Sequence, residues 1–283
     1  MTLEQPPTAV VAALPPRRFG MLRDVLRDPA TLASCIVVLV IALVALTAGL
    51  IFPDATTINA ADRFQAPSIA HPFGTDELGR DMVARMAHAA QLTIVIALGA
   101  MLISLLIGVP WGLLSGSTWN WLDEIMMRCA DAVMAIPMIL FALVFVAALG
   151  SSPETLIVVL GIIKAPLVAR VVRSSTIVEL AADYVRGLTV VGLSRVRIIF
   201  TDVLPNVFPV IASVATLNIA SAIMIEASLS FLGLGVQPPL ASWGTLLKVG
   251  YGSLHQAWWY ALFPALAITL LIAAFNQLGR RVQ

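Results

Sequence analysis

Residues 178–205, VELAADYVRGLTVVGLSRVRIIFTDVLP, lie between two long apolar runs and combine a helical period with several basic side chains. The apolar residues of the first half recur every three or four positions, at Leu180, Tyr184, Leu188 and Val191. This spacing predicts a short amphipathic helix with those four side chains on one face. Gly192 is the residue type that most easily ends a helix in a left-handed conformation, and Ser194 is a typical N-cap. The stretch therefore predicts a helix, a tight turn and a second helix before Pro205.

The composition of the whole chain indicates a membrane protein. Of its 283 residues, 59% are hydrophobic and only 12% are charged, which is too apolar for a soluble globular domain. The net charge of +1 and the wide spread of basic residues give no indication of nucleic-acid binding. Cys35 and Cys129 are far apart in sequence and do not indicate a disulfide framework.

Six apolar runs, each near the ~20 residues needed to cross a bilayer, predict an all-α integral membrane protein with six transmembrane helices. The predicted spans are 31–52, 93–117, 132–149, 155–172, 203–225 and a last run that ends near residue 278. These spans divide the chain into an N-terminal tail, 1–29, and a six-span domain, 30–283. The polar connections within the domain are the segments 53–90 and 230–257 and a helical hairpin at 173–205.

The positions of lysine and arginine orient these spans. With both termini and the hairpin on one side, that side holds twelve basic residues: Arg17, Arg18, Arg23, Arg27, Arg128, Arg170, Arg173, Arg186, Arg195, Arg197, Arg280 and Arg281. The other side holds four: Arg63, Arg80, Arg85 and Lys248. Because cytoplasmic loops carry the excess of Lys and Arg, both termini and the hairpin are predicted to be cytoplasmic. The segments 53–90 and 230–257 are then external.

Two sequence blocks resemble a known family. HPFGTDELGRDMVAR at 71–85 and SFLGLGVQPPLASWGTLL at 230–247 are similar to sequences of the C-type permease of dipeptide, oligopeptide and nickel ABC importers. The resemblance extends from about residue 30 to the end. The hairpin resembles the coupling loop of such permeases, whose glycine and Leu-Pro pair match Gly192 and Leu204-Pro205. Arg186, Gly187 and Leu188 stand in place of the family's Glu-Ala-Ala, and Asp202 stands in place of a hydrophobic residue.

The resemblance implies a transmembrane subunit of an ATP-driven importer in the inner or plasma membrane, which moves peptides or similar small solutes by alternating access. Its partners would be a second permease subunit, two ATP-binding subunits, an external solute-binding protein and the lipid bilayer. ATP and Mg²⁺ would be bound by those partner subunits, and this chain would hold no cofactor. The hairpin residues implied in coupling to the ATPase are Leu180, Asp183, Tyr184, Arg186, Gly187, Leu188, Gly192, Leu204 and Pro205.

Three features within the spans are candidates for packing or transport. Small residues recur every four positions in the second span, at Ser104, Gly108, Gly112 and Gly116, and allow close helix packing, either within this subunit or against a partner permease. Lys164 interrupts the fourth span; it either contributes to a substrate pathway or faces a carboxylate or a water-filled cavity. Glu226, near the outer end of the fifth span, either contributes to the pathway or hydrogen-bonds the glycine-rich turn that follows.

Several kinds of chemistry are excluded by the sequence. Lys164 and Lys248 are the only lysines, and neither lies in a Gly-Lys-Ser/Thr loop, so a P-loop ATPase site is excluded. His71, His88 and His255 have no metal-ligand spacing. Two alternatives to the importer remain at this point. One is an ion-coupled secondary transporter that uses Lys164 and Glu226; the other is a membrane-embedded enzyme that uses the acidic residues of 76–81.

Overall fold

The computed structural model describes residues 28–53, 55–118 and 121–281, and this part of the chain contains helices and connecting segments but no β-strand longer than one isolated bridge. Most of the tail predicted at 1–29 therefore lies outside the described residues. The α-helices are α1 Pro29–Ile51, α2 Met82–Ser117, α3 Trp121–Met134, α4 Met138–Leu149, α5 Pro153–Leu180, α6 Asp183–Val190, α7 Arg195–Ile198, α8 Leu204–Phe231, α9 Trp243–Gly252 and α10 Trp258–Arg281. A π-helical segment, Ile199–Val203, joins α7 to α8 without a break.

Five helical stretches are long and apolar enough to cross a membrane. They are α1, α2, α5, the continuous stretch Arg195–Phe231 and α10. Helices α3 and α4 pass the same test only as a pair, and the pair is bent by 81°. The described part of the chain therefore holds five or six candidate membrane spans, which confirms the predicted all-α class.

Helices α2 and α5 run side by side in the same direction, and their contact organises the bundle. Gly99, in the middle of α2, lies against Ile157 near the start of α5, and near the end of both helices Gly116 lies against Thr176. Because two consecutive long helices can be parallel only if the chain returns between them, α3 and α4 bring it back to the other end. At the end of the bundle where α2 and α5 finish, Arg281 at the end of α10 donates a hydrogen bond of 2.6 Å to Asp28, the N-cap of α1.

The core has two parts, one toward each end of the bundle. The larger part lies where α2, α5, α8 and α10 meet and includes Ile96, Leu160 and Ile223, all fully buried. The smaller part, the lower core, lies around Val172 beneath the hairpin. Large apolar side chains on the outside of α1, such as Leu50, are mostly exposed, as expected for helices that face lipid.

Two predictions about local structure were wrong, and backbone chemistry explains both. The connection between the second and third predicted spans is helical from Trp121 onward, and the predicted span 132–149 is broken before Pro137, because proline disfavours helical geometry in the preceding residue. The single helix predicted through Leu180 and Val191 is split, since Ala182 has extended backbone angles (φ −66°, ψ 146°) and a new helix starts at Asp183.

Two other boundaries also differ from the sequence prediction. Helix α2 begins at Met82, eleven residues before the predicted second span, because the carboxylate of Asp81 accepts hydrogen bonds from the backbone N–H groups of Val83 and Ala84 at 2.8 and 3.0 Å. The segment 230–257 contains the helix α9, which starts with a capping box formed by Ser242 and Thr245. The sequence predicted only a polar connection for this segment.

Candidate functional site

The turn between α6 and α7 is built on Gly192. Its φ is +89°, and the backbone N–H of Leu193 donates to the carbonyl of Leu188 at 3.2 Å while that of Gly192 donates to Thr189 at 3.0 Å. This pair of hydrogen bonds is a Schellman motif, which satisfies carbonyls at the end of α6. Ser194 then caps α7 by accepting from the N–H of Arg197 at 3.4 Å. The tight turn expected from the sequence is therefore present.

The hairpin packs on the bundle through a face that the sequence analysis only partly identified. Val185 and Ile198 are the buried residues of α6 and α7, at 5% and 2% exposure, and they contact the lower core together with the half-buried Leu180 and Leu188. The sequence did not predict the burial of Val185, because the helix was predicted to include Leu180, whereas it starts at Asp183. A helix that starts at Asp183 places Val185 and Leu188 three residues apart on one face, and this spacing is the signal that would have found it.

The opposite face of the hairpin is open to solvent. Tyr184 and Val191, predicted to share the apolar stripe, are 41% and 79% exposed. The side chains of Asp183 and Arg186 are also exposed and form an ion pair at 3.7 Å, which contributes little to stability at a surface. Gly187 has open space around it. This face combines apolar and charged groups that have few contacts within the described part of the chain.

A polar network joins the hairpin to the two helices that flank it. The Tyr184 hydroxyl donates to Glu179 near the end of α5, and the side-chain amide of Asn206, in the first turn of α8, donates to the same carboxylate at 2.8 Å. Partial burial and the hydrogen bond to Glu179 raise the pKa of Tyr184 to about 12, so the phenol stays a donor at neutral pH. Leu204 and Pro205 lie beside Asn206, half-buried and exposed respectively.

Ion pairs tie the bent helix α3 to the end of α5. Arg173 donates two hydrogen bonds to Asp123, each 2.6 Å long, and Ser115 at the end of α2 donates to the same carboxylate. One helical turn earlier on α5, Arg170 forms an ion pair with Asp131 of α3. Bidentate guanidinium–carboxylate contacts fix both distance and orientation, so α3 is held to the helix that leads into the hairpin.

We expect Arg173→Lys to lower the apparent melting temperature of the detergent-solubilised protein by about 2–4 °C, because an ammonium cannot replace both hydrogen bonds and the loss is about 1 kcal/mol. Arg128→Lys is the matched control. Arg128 pairs with Glu124 on the same helix at 3.7 Å, but both side chains are about three-quarters exposed. Equal effects of the two substitutions would show that the Arg173 pair has no special role.

The small residues of α2 lie against α5 of the same chain. A Cβ atom built on Gly108 would be 2.5 Å from Cβ of Val168, and one built on Gly112 would be 2.5 Å from the carbonyl oxygen of Ala169. One built on Gly116 would be 2.9 Å from both the carbonyl oxygen of Arg173 and Cβ of Thr176. Ser104 is fully buried and accepts a hydrogen bond from Asn218 of α8 at 3.2 Å. All of these contacts are made within the subunit.

Lys164 and Glu226 are both buried within the bundle. The Lys164 ammonium donates to Ser221 on α8, and Ser221 donates to the carbonyl of Asn218 at 3.2 Å. Glu226 accepts from Ser230 at 2.7 Å, and Ser230 lies 3.3 Å from Ser242 at the start of α9. Each is 1% exposed, so neither is open to solute in this conformation.

The two sequence blocks identified at 71–85 and 230–247 meet at the end of the bundle opposite the hairpin. The indole N–H of Trp243 donates to the carbonyl of Met86 at 3.0 Å, and its backbone N–H donates to Thr93 at 3.2 Å. The indole N–H of Trp259 donates to the carbonyl of Thr75 at 3.2 Å. Trp243 thus joins the second block to α2 just after the first block, and Trp259 of α10 contacts the first block.

Comparison with known sequences identifies the family of the chain. Residues 108–283 match the family described as binding-protein-dependent transport system inner membrane component. The chain is 39% identical over 207 residues to the di/tripeptide transport system permease protein DppC of Pseudomonas aeruginosa, covering 73% of this chain and 68% of that protein. It is 32% identical over 275 residues to the dipeptide transport system permease protein DppC of Alkalihalophilus pseudofirmus, covering 97% and 90%.

Comparison with solved structures supports the same fold. An inward-facing structure of the MetNI methionine ABC transporter contains a chain that matches with a TM-score of 0.58 at 17% identity, over 71% of this chain and 95% of that one. At this identity the likeness concerns the fold alone. Together with the family match over more than half of its length, it agrees with the helical membrane architecture described above. The chain is a multi-pass inner-membrane protein and belongs to the family of binding-protein-dependent transport system inner membrane components.

Proposed function

We propose that this chain is one of two permease subunits in an ATP-driven importer of peptides or similar small solutes. The observation that carries the proposal is its similarity, over most of both chains, to permease proteins named for dipeptide and di/tripeptide transport. In this proposal two partner subunits bind ATP and Mg²⁺, and an external protein delivers the solute. This chain supplies half of the translocation pathway and has no catalytic activity of its own.

We further propose six spans with both termini in the cytoplasm. The parallel arrangement of α2 and α5 supports this count, since the bent pair α3–α4 must then return the chain across the bundle. The contact between Arg281 and Asp28 also supports an even number of crossings, because it places the start of α1 beside the end of α10. The excess of basic residues at this end supports a cytoplasmic location.

The proposed division of the chain follows from this topology. The cytoplasmic tail is 1–29 and the permease domain is 30–283. Its external segments, 53–90 and 230–257, contain the two sequence blocks that meet over α2 and α10. The coupling hairpin, 173–205, lies at the cytoplasmic end.

The hairpin acts in this proposal as a lever between the ATPase and the spans. Its buried face, around Val185 and Ile198, joins it to the lower core, while its exposed face with Tyr184 and Arg186 is available to a partner. Force on α7 passes directly into α8, since the π-helical segment Ile199–Val203 leaves no break between them. A π-helical turn is a wider and less regular turn within a helix, which makes this segment a suitable place for bending.

Arg186 has a specific consequence for the partner surface. Its side chain is 75% exposed, and its neighbour Asp183 is almost fully exposed. Because Arg186 stands where related loops carry a glutamate, the groove that receives the hairpin is proposed to contain an acidic residue opposite it. Lys164 and Glu226 are proposed to line the pathway only in a conformation in which α5 and α8 separate.

The proposed function is tested by purifying the tagged chain from its native membrane and identifying what accompanies it. We expect a second permease and two ATP-binding subunits in the complex, with ATPase activity stimulated by peptide-loaded binding protein. Val185→Asp places a carboxylate in the buried face of the hairpin and should remove that stimulation, whereas Val190→Asp, at a position 88% exposed, serves as the control. Isolation of the chain without ATP-binding subunits would contradict the proposal.

A further inference from the structure

The chain passes from α5 into α6 through a break in the helix. Helix α5 ends at Leu180, and Ala182 has extended backbone angles before α6 starts at Asp183. The backbone N–H of Ala182 closes the turn by donating to the carbonyl of Glu179 at 3.1 Å. Alanine at the N-cap position offers no side-chain acceptor to the N–H groups that open α6. A displacement of α6 is therefore absorbed at this break unless side chains bridge it.

Glu179 and Tyr184 form such a bridge. Glu179 lies in the last turn of α5 and Tyr184 in the first turn of α6, on opposite sides of the break. The Tyr184 hydroxyl donates to Oε1 of Glu179. Because a hydrogen bond depends on direction as well as distance, this contact restrains the angle at which α6 leaves α5.

Asn206 attaches α8 to the same point. Its side-chain nitrogen donates to Oε1 of Glu179 at 2.8 Å and to the hydroxyl oxygen of Tyr184 at 3.1 Å. Asparagine suits this position because its amide nitrogen carries two N–H donors, whereas a carboxylate would carry none. The three side chains form a closed set of contacts, each with one donor and one acceptor, and we call this set the Glu179 triangle.

The triangle joins helices that apolar packing alone does not orient. Val185 holds α6 on the lower core, and Val203 and Val207 hold the start of α8 on it, at 0% and 2% exposure. Apolar burial is non-directional, so it resists separation of the helices more than a change of angle between them. The hydrogen bonds of the triangle supply the missing direction, and they do so for α5, α6 and α8 at one carboxylate.

We propose that Glu179 is a positioning residue for coupling, whose carboxylate fixes α6 to both flanking spans so that a movement of the hairpin enters α5 and α8 together. This inference rests on the proposed importer function. It differs from the partner contact proposed for Arg186, because all three contacts of the triangle are made within this chain.

The test exchanges donor and acceptor within the triangle. Asn206→Asp removes both N–H donors and places a second carboxylate against Glu179, so uptake per ATP hydrolysed by the assembled complex in vesicles should fall at least about fivefold. Glu179→Gln alone keeps an acceptor oxygen and should stay within about twofold of the wild type. Combined with Asn206→Asp, it supplies an amide donor to the new carboxylate and should restore uptake per ATP to within about twofold.

Tyr184→Phe tests the triangle without adding a charge. It keeps the aromatic ring and removes the hydroxyl, and it should lower uptake per ATP about threefold. If Asn206→Asp does not assemble with its partners, this variant decides the question. Tyr251→Phe is the matched control, because Tyr251 is exposed on α9 at the other end of the bundle, and it should leave uptake per ATP unchanged.

Two results would overturn the inference. One is unchanged uptake per ATP in Tyr184→Phe, and the other is a defect of Asn206→Asp that Glu179→Gln does not relieve. If the wild-type complex imports peptide and either result is found, the inference fails and the importer stands. If the wild-type complex does not import peptide, the importer proposal fails and the melting temperature tests the triangle. Recovery of the melting temperature in the double variant then supports the contact, and no recovery overturns it.

Discussion

Replacing Gly192 by valine is expected to reduce peptide uptake by at least about tenfold while the complex continues to hydrolyse ATP. The reason lies in the backbone alone. Gly192 has a φ of +89°, and no atom lies within 4 Å of the position that a Cβ would occupy. A left-handed conformation costs an ordinary L-residue about 1–2 kcal/mol, and a β-branched side chain is among the least tolerant. The valine variant should therefore open the turn and release α7 from α6.

Gly192→Asn is the matched control for this prediction. Asparagine adds a side chain of similar size into the same open space, but it adopts left-handed angles far more readily than valine. We expect uptake by the asparagine variant to stay within about threefold of the wild type. The measurement is uptake into vesicles together with ATP hydrolysis by the same preparation. If the two variants behave alike, or if valine leaves uptake unchanged, the turn does not transmit the motion.

The sequence predicted the hairpin because its signals are local. Gly192 and Ser194 stop and start helices through their own backbone and side-chain chemistry, and both do so in the structure. The break at Ala182 had no such signal, since alanine is a good helix former and nothing in its side chain favours an extended conformation. Packing of Val185 into the lower core therefore sets the start of α6, and packing cannot be read from one residue and its neighbours.

The same contrast applies to the spans and to the external end of the bundle. Apolar length correctly indicated α1, α2, α5, α8 and α10, but it could not separate a straight span from the pair bent at Pro137. Lys164 was a candidate for the pathway because it places a charge in an apolar run. In the structure it is buried and donates a hydrogen bond to Ser221. Arg85 was noted only as an external basic residue, because its position close to Tyr260 depends on contact between segments about 175 residues apart, which local sequence chemistry cannot indicate.

The other large effect is expected at the contact between α2 and α5. Gly112→Ala should lower the apparent melting temperature of the purified protein by about 5 °C or more, because overpacking a tight interface costs about 1–3 kcal/mol. The added Cβ would be 2.5 Å from the carbonyl oxygen of Ala169 and 3.0 Å from the backbone nitrogen of Arg173. Backbone atoms cannot rotate away as a side chain can, so the two helices must separate.

The same glycine-to-alanine substitution at less crowded sites tests this prediction. Gly116→Ala, whose Cβ would meet atoms at 2.9 Å, should have a smaller effect, and Gly49→Ala on α1, with no atom within 4 Å, should be neutral or stabilising. A series in which all three melt alike would contradict close packing.

Because α5 leads directly into the hairpin, Gly112→Ala should also weaken coupling in whatever fraction stays folded, with uptake falling further than ATP hydrolysis. If the folded fraction keeps its coupling, the motion of the hairpin reaches the spans through α7 and α8 and not through α5.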